Sequence, residues 1–411
     1  MASSSANLAS RPLKVALLFT TFPKTSESFL QRDVAALVGQ SVELRLYSLF
    51  GGGGTFQGLP VRRFNLWRLV PLFLLTIPWN CLRRPRIVRD LFEGVILRAP
   101  PSWLNFWENM LGAGFAGCFY REFRRDPPDL VHGAWAGAPA TAGWLLWRIL
   151  GIPFSCGAHA YDLYEHGGDW WLLEKLRLAR FVQTSTEAGR HYLVDRGVPS
   201  EKIAVIRRGL AGFPDCKPLR SPRRPLRLLC IARLVPKKGL DRQLLIYDDL
   251  RRAGFPFDAR IVGDGPLRPE LERSIRDLGL AGQVSLLGQL PHGEVWQQLA
   301  WADVLLHTGI VAPSGDRDGL PNVIPEAMAA GVLVVSSPVS ATTEAVQQER
   351  TGLVCDVDLP LAWRIALGRL ADDDQLAERL RGAARAWVEE NYDAHRNTAR
   401  LRECFARAVQ P

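Results

Sequence analysis

The sequence is short of the features that mark secreted, membrane-spanning or zinc-stapled proteins. Its 411 residues hold only seven cysteines, odd in number and never spaced as Cys-x-x-Cys. That argues against a disulfide framework or a zinc site, and for reduced, buried thiols in a cytosolic protein. No run reaches the roughly 20 apolar residues of a transmembrane helix; the nearest, 70–82, contains Pro71, Pro78 and Asn80. The start, Met-Ala-Ser-Ser-Ser-Ala-Asn, lacks the basic and apolar regions of a secretory signal. No short internal repeat is visible. Acidic residues are the minority charge, 42 against 51 lysines and arginines, which leaves a net charge of +9. Anionic partners are therefore expected: nucleotide phosphates, acidic lipids or nucleic acid. Apolar residues are plentiful, 47% of the chain against 23% charged. This is the balance of a soluble globular protein, long enough for two domains with their own cores.

The pattern of apolar runs divides the chain into two halves. In the first, strands are expected at 15–19, 42–47, 130–132, 153–156, 181–184 and 203–206. A helix over 27–38 has Ser26 in position to cap it, and Gly51 to Gly54 reads as a flexible loop. Residues 214–225, Pro-Asp-Cys-Lys-Pro-Leu-Arg-Ser-Pro-Arg-Arg-Pro, sustain neither a helix nor a central strand and read as an interdomain linker. Beyond it, strands at 226–231, 259–262, 284–287, 304–306, 332–336 and 352–354 alternate with helices. That alternation implies a parallel sheet covered on both faces. The expected domains are 1–213 and 226–391, with a last helical stretch over 392–411.

Residues 316–337 carry the strongest signal: Asp-Arg-Asp-Gly-Leu-Pro-Asn-Val-Ile-Pro-Glu-Ala-Met-Ala-Ala-Gly-Val-Leu-Val-Val-Ser-Ser. Asp318 and Glu326 stand on either side of a glycine turn that opens into a helix. Pro321 and Pro325 suit only the approach to a helix or its first turn, and Gly331 stops it before a buried strand. Free N–H groups at such a start suit a phosphate, and the two acids suit hydroxyl groups. A second motif, Ile-Ala-Arg-Leu-Val-Pro-Lys-Lys-Gly-Leu-Asp at 231–241, ends a buried strand in basic groups at the carboxyl edge of the sheet, where ligands bind. Arg233 can chelate phosphate oxygens and Lys238 can supply a point charge; Lys237 reads as solvated. Gly263-Asp-Gly265-Pro266 is a weak dinucleotide signal, without a third glycine or a following ribose acid.

The acid spacing, Gly-Leu-Pro-Asn and Glu-Ala-Met-Ala-Ala-Gly together resemble the Asp/Glu-x7-Glu signature of the family-four retaining glycosyltransferases. The resemblance implies an α/β protein of GT-B architecture, two Rossmann-like domains facing one cleft, with the last helix crossing back to the first domain. It implies that Glu326 holds the ribose hydroxyls of a nucleotide-sugar donor, and that Asp318, Gly319, Leu320, Pro321 and Asn322 contact the donor sugar and phosphates. The family's usual Glu is here Asp318, its carboxylate set back by one methylene. The segment at 231–241 resembles the family's Gly-Arg-Leu-x-x-x-Lys-Gly element, with Ala232 for Gly, so Arg233 and Lys238 are expected on the donor diphosphate. Gly263, Gly265 and Leu290 would line the nucleotide edge.

In the first half, Phe22-Pro-Lys-Thr-Ser-Glu-Ser-Phe29 resembles a segment of a subgroup that makes bacterial surface polysaccharides, of the colanic-acid type. Ser26 and Glu27 would contact the acceptor there, or Ser26 would simply cap the helix. Ala158-His-Ala-Tyr-Asp162 resembles the family's Ala-His-x-x-Asp element, which implies His159 beside the transferred sugar and Asp162 orienting it or touching acceptor. His132 is a weaker second candidate, and His307 and the remaining histidines show no metal-like clustering. Arg62, Arg63, Arg68, Arg83, Arg84, Arg86 and Arg89 lie among Trp67, Leu69, Phe73, Leu74, Leu75, Trp79 and Leu82. That mixture suits an interfacial segment on an anionic leaflet, or an internal helix pair with a solvated basic face.

The expected activity is transfer of a hexosyl group, with retention, from a nucleoside-diphosphate sugar to a glycan or lipid-linked glycan. It would use no cofactor and no metal, at the cytoplasmic face of a membrane. Asp316-x-Asp318 and Asp356-x-Asp358 match a metal-binding pair only by a spacing common by chance. The alternative is a catalytically degenerate nucleotide-sugar-binding or partner-scaffold protein. A nucleic-acid partner is not expected, because no recognisable module accompanies the charge.

Overall fold

The computed structural model describes residues 11–410 apart from 25–26, 66, 68, 72–73, 76, 84, 96–98, 217, 219–222 and 340. Ser26, Arg68, Phe73, Arg84 and much of the expected linker therefore lie outside the described residues. The chain divides into two units, Met1–Gly209 with Ala394–Pro411, and Leu210–Asp393.

The first unit holds β1 (Leu13–Phe19), β2 (Val42–Ser48), β3 (Gly54–Phe56), β4 (Leu59–Arg63), β5 (Leu130–Gly133), β6 (Phe154–Gly157), β7 (Val182–Thr184) and β8 (Ile203–Val205). They form one sheet in the order β3-β4-β2-β1-β5-β6-β7-β8. All pairs are parallel except the β3–β4 hairpin. Along β1, Ala16 and Leu18 enter one core cluster while Val15, Leu17 and Phe19 enter another. Both faces are therefore buried, which is why the strand reads as an unbroken apolar run. The closing helix Ala394–Ala408 belongs to this unit. Its stripe of Leu401, Cys404, Phe405 and Ala408 joins the Val15 face, and Gln40 Nε2 donates to Thr398 Oγ1 at 2.7 Å.

The second unit holds β9 (Leu226–Ile231), β10 (Phe257–Val262), β11 (Val284–Gly288), β12 (Val304–His307), β13 (Leu333–Ser336) and β14 (Leu353–Val354). Their order is β11-β10-β9-β12-β13-β14, parallel throughout. Each strand therefore presents its carboxyl end on the same edge. The unit starts at Leu210 rather than in the proline-rich stretch, because the Leu210 N–H donates to the Tyr392 carbonyl at 2.7 Å and its side chain is buried with Leu229 and Tyr392.

One element is unanticipated. The hairpin β3–β4 follows the glycine run and turns on Gln57 and Gly58, both at positive φ. A two-residue turn of this kind usually advertises itself by Asn-Gly or Asp-Gly, and Gln-Gly does not.

Candidate active site

The second unit pairs Lys237 and Lys238 with Asp316 and Asp318 at the carboxyl edge of the sheet. After β9 the chain makes one tight turn, Pro236–Lys238, and ends it at Gly239 with φ 57°. A Cβ on Gly239 would lie 2.1 Å from the Thr308 carbonyl oxygen, so only glycine permits this approach. The approach sets both lysines against the loop that follows β12. Lys238 Nζ sits 2.6 Å from Asp318 Oδ2, and Lys237 Nζ sits 2.8 Å from Asp316 Oδ2. Lys237 is thus not solvated as its neighbourhood in sequence suggested: it is 6% exposed, held inside by the Asp316 charge it neutralises. Burial alone would raise the Asp318 carboxyl. Lys238 above all, with His307 and Lys237, overrides this and holds it well below the usual carboxylate range.

Glu326 is buried on the short helix Val323–Ala329, with Gly319, Leu320, Pro321 and Asn322 half-buried in the loop between it and Asp318. Arg233 is exposed just beyond β9. Gly263 and Gly265 fold directly over that segment: a Cβ on Gly263 would meet the Ala232 carbonyl oxygen at 1.9 Å, and the Leu234 N–H donates to the Asp264 carbonyl at 3.0 Å. Leu290, beyond β11, packs half-buried on the cluster of Ile324 and Ala327. One sheet edge thus brings together the expected donor-side residues of the second unit. It also adds His307, which sequence reasoning weighed only as a metal ligand. Its signal was its place at the carboxyl end of a strand. Of the two Asp-x-Asp pairs, the first is bound by lysines. In the second, the Asp358 N–H donates to Asp356 Oδ1 at 3.0 Å while Arg242 Nε sits 3.2 Å from Asp358 Oδ1.

In the first unit, His159 follows β6 and is 6% exposed. Neither ring nitrogen has a hydrogen-bond partner among the described residues; the Trp135 ring stands edge-on at 5.7 Å. Burial first, then Arg208 and His132, holds the ring well below the usual histidine range, so it is neutral. Asp162 does not reach outward. Its Oδ2 accepts the Ala136 N–H at 3.1 Å and, more weakly, the His159 N–H at 3.4 Å. Burial and neighbouring Asp169 push its carboxyl up to about 8. Glu27 Oε1 pairs with Lys24 at 2.8 Å while Oε2 is buried without a partner among the described residues. His132 is committed to structure: its Nδ1 lies 2.9 Å from Ser155 Oγ, and its ring packs between Phe181 and Phe405.

Two parallel α/β units, the second with lysine-bound carboxylates on its ligand edge, define the GT-B class of transferase. The second half matches the family model for glycosyl transferases group 1 over residues 215–387, and the first matches glycosyltransferase family 4 over residues 34–211. The putative colanic acid biosynthesis glycosyltransferase WcaL of Escherichia coli is 37% identical over 397 residues, covering 93% of this chain and 96% of that protein. The amylovoran biosynthesis glycosyltransferase AmsK of Erwinia amylovora is 34% identical, over a match that spans 53% of this chain and 54% of that protein. Among solved structures, Anabaena Alr3699/HepE in complex with UDP-glucose shares the fold at TM-score 0.68 and 18% identity, covering 95% of this chain and 99% of that one. The chain belongs to the family-four glycosyltransferases, and it is a glycosyltransferase.

Proposed function

We propose that the protein moves a hexosyl group from a nucleoside-diphosphate sugar to a glycan or lipid-linked glycan in the synthesis of a cell-surface polysaccharide. The observation that carries this is the Lys238–Asp318 pair at the sheet edge, with Glu326 one loop away. Arg233 and Lys238 stabilise charge on the departing diphosphate. Glu326 accepts from the ribose hydroxyls and Asp318 from the donor sugar. In the first unit, neutral His159 can both donate to and accept from a sugar hydroxyl, and the unpartnered Glu27 oxygen can accept one. WcaL and AmsK are named for colanic acid and amylovoran biosynthesis, which supports that acceptor class.

The anomeric configuration is retained in this reading. No carboxylate among the described residues is named as a covalent nucleophile, so in this reading the acceptor attacks from the leaving-group face and its proton passes to the departing phosphate. No divalent ion is required: Asp316 and Asp318 already face Lys237 and Lys238, and Asp358 faces Arg242. Turnover in excess EDTA matching untreated enzyme is the expected result; loss with rescue by magnesium or manganese reverses it.

The protein also works against an anionic membrane surface. Trp67 is 82% exposed and Leu82 80%, with Leu74, Leu75 and Trp79 exposed beside them, and the Arg83 guanidinium lies 4.4 Å over the Trp79 ring. Trp103, Leu104 and Trp107 extend the exposed apolar set onto the next helix. Arg62 is excluded from this surface, because it belongs to β4 and pairs with Glu122. No described helix is long and apolar enough to cross a membrane.

A panel of UDP-, GDP- and ADP-hexoses screened by thermal shift tests the donor class, since a ligand that binds only the folded protein raises its transition by mass action. A raised transition with one hexose series, followed by transfer or donor hydrolysis, is expected. No shift with any member and no turnover would leave only a degenerate binder of something else.

A further inference from the structure

We infer that His307 is a positioning residue for Asp318, fixing the shortened acid so that its outer oxygen faces the donor sugar. This rests on the reading of Asp318 as a donor-sugar contact. His307 closes β12 and is 5% exposed. Its Nε2 lies 3.3 Å from Asp318 Oδ2, and its Nδ1 lies 3.2 Å from Ser336 Oγ at the end of the adjacent strand β13. The imidazole therefore ties the acid to the sheet. Asp318 is ionised and accepts only, so the ring carries a proton on Nε2 and donates it there, while Nδ1 rests against Ser336 Oγ, whose hydroxyl also faces the Ser337 carbonyl at 3.0 Å. Burial lowers the His307 titration despite the neighbouring carboxylate.

The ring has little room to move. A Cβ on Gly309 would lie 2.5 Å from His307 Cε1, so the imidazole rests against the backbone two residues on. Asp318 Oδ2 thus receives both Lys238 Nζ at 2.6 Å and His307 Nε2. Oδ1 accepts no hydrogen bond among the described residues, and its ionic neighbour there is Lys237 Nζ at 3.8 Å. One oxygen is anchored and one is left for a substrate hydroxyl. A Glu at 318 would push its carboxylate one methylene further, into the space that the ring and the lysines now define. The short acid and the histidine therefore work as a matched pair.

The test is a double-mutant cycle on the full-length enzyme. It uses whichever of UDP-glucose and GDP-mannose is turned over, with bare UDP and GDP as binding probes. His307→Ala should lower kcat/KM for the sugar donor by roughly ten- to a hundredfold, the scale for a misplaced reacting group, while binding of the bare nucleotide stays unchanged. His307→Gln, which can still donate to Asp318, should recover part of the loss and guards against a cavity effect. Asp318→Glu should be impaired in the native background and less impaired when combined with His307→Ala. Unchanged donor kinetics in His307→Ala, or an Asp318→Glu cost equal in both backgrounds, would overturn the pairing. If Asp318→Asn itself transfers normally, the donor-contact reading fails and the inference falls with it. If Asp318→Asn is impaired and His307→Ala is normal, only the positioning inference fails.

Discussion

Each unit pairs a lysine with a buried aspartate, but the two pairs are finished differently. In the first unit Lys175 and Asp169 lie 2.7 Å apart with both side chains 1% exposed. The Lys175 ammonium also donates to Asn109 Oδ1 and Thr141 Oγ1, at 3.1 and 3.2 Å, so its three protons are spoken for. Asp169 in turn accepts from Asn105 and Asn109. In the second unit the Lys238 ammonium hydrogen-bonds only Asp318 among the described residues, and one oxygen of Asp318 is left over. A saturated buried pair holds structure together, whereas an unsaturated one at a sheet edge has capacity left for a ligand.

The sharpest way to break that contrast is to remove each lysine. Lys175→Ala leaves Asp169 as a buried, uncompensated charge and should destabilise folding by about 3–5 kcal/mol, read as a lower urea midpoint. Lys238→Ala should instead lower transfer roughly a hundredfold, as expected for losing a preorganised electrostatic contact, with a smaller change in the same midpoint. If Lys238→Ala unfolds the protein while Lys175→Ala is tolerated, the roles are reversed.

A pH experiment sharpens the first-unit side. The Asp162 carboxyl is pushed up to about 8 in the folded protein from the ordinary 3.8. Folding therefore takes up a proton between those pH values. The stabilising contribution is complete below the lower value and is lost as pH rises toward the upper one, at up to about 1.4 kcal/mol per pH unit. Asp162→Asn should flatten the stability profile across that window; an unaltered slope would show that another group carries it. The smallest effect per residue concerns the membrane surface. Changing Arg83, Arg84, Arg86 and Arg89 to Glu should weaken binding to acidic liposomes by on the order of 1 kcal/mol per residue at low salt. Equal binding to neutral liposomes would make the exposed Trp and Leu the whole of the attraction.

The second unit was largely legible in the sequence because its site is written locally. Gly239 and Gly263 mark close approaches, and Asp318, Gly319 and Glu326 fall within one loop and helix. Its misreading, Lys237, came from judging a lysine by its neighbours in sequence when its partner Asp316 stands 79 residues away. His307 was hidden for the same reason, since Ser336 meets it only through the pairing of β12 with β13. The first unit was harder. The Lys175 cluster is assembled from three helices, its hydrogen-bond partners Asn109 and Thr141 lying 66 and 34 residues away. The β3–β4 hairpin turns on residues without a strong turn signature. His159 was found because it follows a strand in a segment that resembles the family's Ala-His-x-x-Asp element, although only the structure shows its nitrogens unpartnered among the described residues.

The central claim is that the sheet edge of the second unit holds the sugar donor. Glu326→Gln tests it with the least disturbance, since it preserves shape and removes one charge from a buried site that is 7% exposed. Steady-state transfer from the hexose nucleotide that the wild-type enzyme uses should fall roughly a hundredfold, with the thermal transition of the unliganded protein unmoved. Wild-type turnover by a folded Glu326→Gln enzyme would contradict the account.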